Sequence, residues 1–280
     1  MAHILDKILA HKRVEVERRK TLVPIERLKR ICADLPRCRN FVQAVTRANP
    51  GMNVIAEVKK ASPSAGLIRP DFDPVAIART YEQCGAAAIS VLTDEKYFQG
   101  RLEYLTEVKG AVSVPVMRKE FIVDPYQVYE ARAAGADAVL LIGEALPVGQ
   151  LSDLMILAAE LTLSVLLEVH AADVLLKVQS LIGFPEQGCS VLGINNRNLA
   201  TMEVDINNTG RLAALAGDVH GLVAESGIKT REHVTRLKSV GATAVLIGQS
   251  LCERPDIAGA YRDLFGGGTP HQRPSTGLKP

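Results

Sequence analysis

The chain has 280 residues, 47% hydrophobic and 23% charged, with a formal net charge of +2, an ordinary soluble globular balance that offers no strong field to nucleic acid or a membrane surface. No apolar run approaches the ~20 residues of a membrane span, and aromatic residues make up only 4% with no Trp, which argues against base-stacking surfaces. The length suits two small domains or one α/β barrel of roughly 250 residues. The first twenty residues, MAHILDKILAHKRVEVERRK, are charged throughout and lack a signal-peptide core. Cys32, Cys38, Cys84, Cys189 and Cys252 are dispersed without a CxxC pair. That is the pattern of reduced thiols in a cytoplasmic protein, each Cys serving as a small apolar side chain.

Residues 1–49 read as a helical extension. Ile4, Leu5, Ile8 and Leu9 recur at helical spacing, with Val14 and Val16 following on a charged segment. Pro24 suits the first turn of a second helix over Ile25–Cys32. Phe41–Val45 reads as a short third helix before the turn Asn49-Pro50-Gly51. The extension is either a stabilising cap or a lid over a site.

From Val54 a repeating pattern begins. One phrase recurs as CGAAAISVLT (Cys84–Thr93), AGADAVLLIG (Ala134–Gly143) and VGATAVLIGQ (Val240–Gln249), each with a Gly suited to a left-handed helix cap ahead of an apolar run. Further runs of similar length are VIAEVKK from Val54, Val114–Phe121, Ser164–His170, Val191–Arg197 and Gly221–Gly227. From near 54 to near 244 the spacing averages roughly 27 residues, the size of one strand–helix unit. The runs are continuously apolar, as parallel strands covered on both faces should be. Amphipathic helices are expected over Val75–Gln83 and Tyr126–Ala134, each behind an Asp-Pro cap, and over Leu151–Leu161 after Pro147. The expected fold is α/β: a (β/α)8 TIM barrel over 50–265 with the extension at 1–49, an open doubly wound sheet being the alternative. The Gly- and Pro-rich residues 266–280 are expected to form a disordered tail.

A barrel of this kind gathers its site at the C-terminal strand ends. In order these carry Glu57, Lys59 and Ser62; Thr93 and Asp94; Arg118, Lys119 and Glu120; the apolar Leu140–Gly143; Glu168; Asn195, Asn196 and Arg197; Glu225, Ser226 and Gly227; and Gly248, Gln249 and Ser250. Glu57 and Lys59, two apart on a strand, point the same way. Lys59, Lys119, Glu57 and Glu168 would place two ammoniums and two carboxylates in one mouth, where proximity moves their pKa values and permits acid–base work. The loops after the seventh and eighth strands, with Gly227 and Gly248, sit where such barrels hold phosphate, and Ser62 could add a hydroxyl. His170 is expected to face solvent. The six His show no metal-ligand spacing, and no dinucleotide or pyridoxal motif stands out, so no cofactor and no metal are expected. The partner is a small phosphorylated molecule, and the working expectation is a monomer without nucleic-acid or membrane partners.

The strand-end motifs AEVKKASPS (Ala56–Ser64), SVLTDEKYFQG (Ser90–Gly100), VPVMRKEFIVDPYQ (Val114–Gln127), GADAVLLI (Gly135–Ile142), LEVH (Leu167–His170), GINNRNL (Gly193–Leu199), AESGI (Ala224–Ile228) and LIGQSL (Leu246–Leu251) closely resemble those of indole-3-glycerol-phosphate synthases, in order and over about residues 1–265. The resemblance implies a carboxy-lyase of tryptophan biosynthesis that closes the ring of 1-(2-carboxyphenylamino)-1-deoxy-ribulose 5-phosphate. It implies Lys119 as the acid that protonates the ketone. Glu168 and the Glu57/Lys59 pair would share the proton transfers of dehydration, with acid and base left open. Asn195 and Arg197 would position substrate, and Glu225 would support the mouth. Ser62, Ser226, Gly227, Gly248 and the Gln249 amide would hold phosphate, and Phe98, Phe121 and Leu140 the anthranilate ring. The chain departs from the family's usual residues at Ala65, Arg101 and Gln249. A related barrel, phosphoribosylanthranilate isomerase, is expected to place a Cys at the first strand end, where this chain has Glu57 and Lys59.

Overall fold

A computed structural model describes residues 4–186, 188–198 and 201–266. Helices α1 (Ile4–Leu22), α2 (Ile25–Ala33) and α3 (Phe41–Thr46) come first. The strands β1 (Asn53–Val58), β2 (Ala88–Leu92), β3 (Val116–Lys119), β4 (Ala138–Ile142), β5 (Ser164–Val169), β6 (Ser190–Asn195), β7 (Leu222–Glu225) and β8 (Ala244–Ile247) follow. They are parallel, and each pairs with the next. Asn53 lies opposite Ala244 and Ala56 opposite Ile247, so β8 returns to β1 and the sheet closes into an eight-stranded barrel. Closure excludes the open-sheet alternative and leaves no unpaired edge.

The helices begin where their caps dictate. Asp73 accepts from the N–H groups of Val75 and Ala76 at the head of α4 (Pro74–Gln83). The cap of α7 (Pro125–Ala133) is Asp124, which accepts from Tyr126. Both helices start one residue earlier than expected, because proline at the first helical position has no N–H to satisfy. The helix after Pro147, α8, runs Val148–Glu160, nearly a turn ahead of its first buried residue, Leu151. The repeated glycines Gly85, Gly135 and Gly241 have φ of 96°, 93° and 93°, the left-handed conformation that stops a helix. Elements beyond the expected pattern cluster at the C-terminal end of the barrel. They are a two-strand hairpin (Ala61–Ser62 with Gly66–Leu67), α5 (Glu95–Phe98) and α12 (Gln249–Cys252).

The strands are buried along almost their whole length, with an apolar layer between them and the surrounding helices. α1 and α2 dock on α7 through Val16, Leu28 and Tyr126, and the Tyr126 hydroxyl donates to the carbonyls of Arg19 and Val23. Of the five cysteines, all free, Cys32 and Cys252 are buried and the rest half-buried. No helix among the described residues is long and apolar enough to cross a membrane. The tail expected to be disordered lies, apart from Gly266, outside the described residues.

Candidate active site

A cavity of about 680 Å³ opens at the C-terminal ends of the strands. Glu57, Lys59, Ser62, Phe98, Lys119, Phe121, Leu140, Glu168, Asn195, Arg197, Glu225, Ser226, Gly227, Gly248 and Gln249, the residues given catalytic or substrate-binding roles from the sequence, line it.

At its floor the Lys119 ammonium, from the last residue of β3, lies 2.6 Å from Glu168 Oε2 on β5 and 2.7 Å from Glu225 Oε2 on β7. Room for these carboxylates comes from glycine. A Cβ on Gly193 would stand 2.5 Å from Glu225 Oε1, and one on Gly248 would stand 2.5 Å from Glu57 Oε1. Glu57 in turn pairs with Lys59, as their two-residue spacing requires. Burial alone would strip the proton from Lys119, but Glu168, Glu225 and Glu57 outweigh it and hold the ammonium charged, well above the usual lysine range. Burial pushes Glu168 up, yet Lys119 and His170 drive it well below the usual carboxylate range. Burial and the Glu168 charge together raise Glu225, against the pull of Lys119. Asn195 donates to Glu168 Oε1 at 3.3 Å and accepts from the Arg197 N–H at 3.0 Å. The Arg197 guanidinium donates to the Met202 carbonyl at 3.0 Å, and burial lowers its pKa.

One end of the cavity is apolar. The Phe98 and Phe121 rings lie 6.0 Å apart between centroids, with Leu92, Leu140 and Ile142 beside them. Ile4, Leu5 and Ile8 of α1 add to the wall. Across from the strand that carries Lys119, the loops after β7 and β8 bring Ser226 (φ 66°), Gly227 (φ 79°), Gly248 and Gln249 to the cavity, with Ser62 Oγ already accepting the Ala65 N–H. An ammonium donor, one carboxylate pushed down and its neighbour pushed up, an apolar slot and a glycine-lined backbone together suit proton transfer on a small molecule with an apolar and an anionic end.

Several expectations need correction. Arg118 does not reach the cavity. Its side chain lies on the opposite face of β3 from Lys119, 2.7 Å from Glu130 on α7 and 3.1 Å from Thr93 Oγ1. Alternation along the strand sends it there. Glu120 lines the cavity, but its carboxylate and that of Asp94, which does not, turn to Lys12 of α1, each 3.0 Å from its ammonium, and Asn196 accepts from the backbone and hydroxyl of Thr209. His170 does not face solvent. Its side chain is 5% exposed, with Nε2 3.2 Å from Glu168 Oε1 and Nδ1 3.1 Å from Glu144 Oε2. The signal was present in the chain: the two-residue period that pairs Glu57 with Lys59 also puts His170 beside Glu168. Lys12, the cavity-lining residues of α1, and Met202, Val204 and Ile206 after β6 carried no comparable signal.

A family model described as indole-3-glycerol phosphate synthase matches residues 5–264. An indole-3-glycerol phosphate synthase of Rhodopirellula baltica is 48% identical over 94% of this chain and 98% of its own length. One of Geobacillus kaustophilus is 48% identical over 94% and 97%, respectively. Among solved structures, a 3-hexulose-6-phosphate synthase shares the fold with a TM-score of 0.58 at 16% identity, over 76% of this chain and 98% of that one. With the family model spanning nearly the whole chain and relatives close to half identical along it, this chain belongs to the indole-3-glycerol phosphate synthase family, carboxy-lyases of tryptophan biosynthesis.

Proposed function

We propose that Lys119 is the general acid of the ring closure that gives the family its name, the conversion of 1-(2-carboxyphenylamino)-1-deoxy-ribulose 5-phosphate to indole-3-glycerol phosphate with loss of CO2 and water. The observation that supports this most is the ammonium held charged within 2.7 Å of two carboxylates at the cavity floor. As the aromatic carbon bearing the carboxylate attacks the ketone, the ketone oxygen takes the Lys119 proton and becomes a hydroxyl. The new C–C bond leaves a cationic ring, and departure of CO2 returns its electron pair and restores aromaticity. Phe98, Phe121 and Leu140 hold the ring away from water, which favours loss of the uncharged product.

Dehydration then needs a base for the ring CH2 proton and an acid for the departing hydroxyl. We assign the base to Glu168, the ionised carboxylate, and the acid to Lys59 beside Glu57. Asn195 and Arg197 position the chain hydroxyls. Ser62, Ser226, Gly227, Gly248 and the Gln249 N–H receive phosphate, and Glu225 holds Lys119 in place. No cofactor or metal enters the scheme, and the free thiols fit work in the reducing cytoplasm.

The test is indole fluorescence from the carboxyphenylamino substrate with purified protein. Lys119→Met is expected to abolish turnover with an unchanged circular dichroism spectrum; full turnover in that variant overturns the assignment.

A further inference from the structure

Lys119 by itself does not distinguish its two carboxylates, which lie 2.6 and 2.7 Å away. The difference lies behind them. On the Glu168 side stands His170, with Nε2 3.2 Å from Glu168 Oε1. Its other ring nitrogen is 3.1 Å from Glu144 Oε2, and the second Glu144 oxygen accepts the His170 backbone N–H at 2.8 Å. One carboxylate thus grips both the ring and its backbone and fixes the imidazole plane. Nδ1 hydrogen-bonds Glu144, whereas Nε2 meets Glu168 Oε1 as a charge contact at 3.2 Å without hydrogen-bond geometry, and a ring held between two carboxylates favours the imidazolium. On the Glu225 side, Lys119 is the only cation paired with the carboxylate among the described residues. Glu225 Oε1 is buried without a hydrogen-bond donor and faces Gly193. Neither Glu144 nor His170 lines the cavity, so neither is placed to touch substrate.

We propose that the Glu144–His170 pair is a positioning device for catalysis: it locks the Glu168 carboxylate in place and keeps it the ionised member of the Glu168/Glu225 pair, so that the proton these two share resides on Glu225. The inference rests on the reading of Glu168 as the base. The charged groups concerned are Glu144 and Glu168 facing His170; Lys119, His170 and Glu225 facing Glu168; and Glu57, with its own Lys59, facing Lys119. With Glu225 protonated, three cations meet three anions. The cluster is then neutral, the condition under which buried charge is tolerated. Burial would discharge His170, but its two carboxylates push it up to about 10, so it stays cationic at working pH.

The experiment is the pH profile of kcat and kcat/KM for the full chain, read by indole fluorescence, in Glu144→Gln, Glu144→Asp, His170→Gln and, as control, Glu168→Gln. Glu144→Gln and His170→Gln are expected to lose about 10-fold or more in kcat, the scale of a lost supporting contact to a functional ligand, with KM little changed. Removing the cation lets Glu168 take up its proton more readily, so the acid limb of both profiles moves to higher pH. Glu144→Asp, which keeps the charge, recovers most of the wild-type profile. If His170→Gln fails to fold, the two Glu144 variants give the same readout with the ring still present. Unmoved profiles in Glu144→Gln and His170→Gln, beside a Glu168→Gln variant slowed by about 10², overturn the inference and leave the base assignment standing. Full kcat in Glu168→Gln removes the base assignment and the inference with it.

Discussion

At the scale of the residue, the cavity floor is a problem in placing charge. Glu168 and Glu225 are buried and Lys119 is half-buried between them, so that each charge is tolerable only because of the others. Glycine at Gly193 and Gly248 makes the packing possible, since any Cβ there would occupy carboxylate space. His170 carries a testable consequence. A free imidazole titrates near 6.5, whereas Glu144 and Glu168, against the effect of burial, push His170 up to about 10. A group whose folded pKa is raised stabilises the fold fully below its unfolded pKa and loses that contribution as pH rises through the folded value. His170→Gln should therefore lower Tm most at pH values below about 6.5, with the deficit shrinking as pH climbs towards 10. Differential scanning calorimetry of both proteins across pH checks this; a deficit that grows with pH contradicts it. Residue types and spacings made Glu57, Lys59, Lys119 and Glu168 legible in the chain, because strand alternation is local. The same rule applies to His170, against the expectation that it faces solvent; its neighbour Glu144 lies in the loop after β4, and only the fold joins them.

At the scale of the element, α1 belongs to the site as well as to the extension. Ile4, Leu5 and Ile8 face the cavity, and one turn further on the Lys12 side chain, 1% exposed, enters a nest of Asp94, Glu120 and Glu15. Burial disfavours the Lys12 charge, but the three carboxylates outweigh it and raise its pKa well above the usual range. Asp94 caps α5, which carries Phe98, while Glu120 sits beside Lys119 and accepts the Phe121 N–H. One ammonium thus connects α1 to both rings of the apolar slot. Lys12→Met leaves the buried Asp94 without its cation and Glu120 with Arg118 alone and should cost about 3 kcal/mol, read as a lower urea midpoint, with KM rising as the slot loosens. A wild-type midpoint would show that the contact is idle. Helix α1 was legible from its apolar spacing, which even so did not separate Val14, 69% exposed, from Val16, 1% exposed. Lys12 read as one more charge on a charged helix, because beyond the local Glu15 its buried partners Asp94 and Glu120 lie some eighty or more residues away and local pattern carries no information on them.

At the scale of the whole molecule, closure of the sheet makes one site out of eight strand ends. β3, β5 and β7 bring Lys119, Glu168 and Glu225 inward at one level, and β1 and β8 bring Glu57 and Gly248 to the same rim. The loops after β7 and β8 complete the proposed phosphate end, so inorganic phosphate should bind there without substrate. It should stabilise the fold by about 2.7 kcal/mol at a hundredfold excess over Kd, read as a Tm that rises with concentration, and inhibit turnover competitively. No shift in Tm and no competition would remove phosphate from those loops.

Strand positions, helix caps, the repeating unit and the residues worth suspecting were all determined by the chain itself, because hydrophobic period, proline, glycine and capping side chains act over a few residues. Whether the sheet closed, that Arg118 found Glu130 on α7, that Glu144 met His170, and that Lys12 reached across to Asp94 and Glu120 were decided only in three dimensions. Those outcomes depend on which distant surfaces come together to remove charge from water, and that balance is struck between elements, not within them.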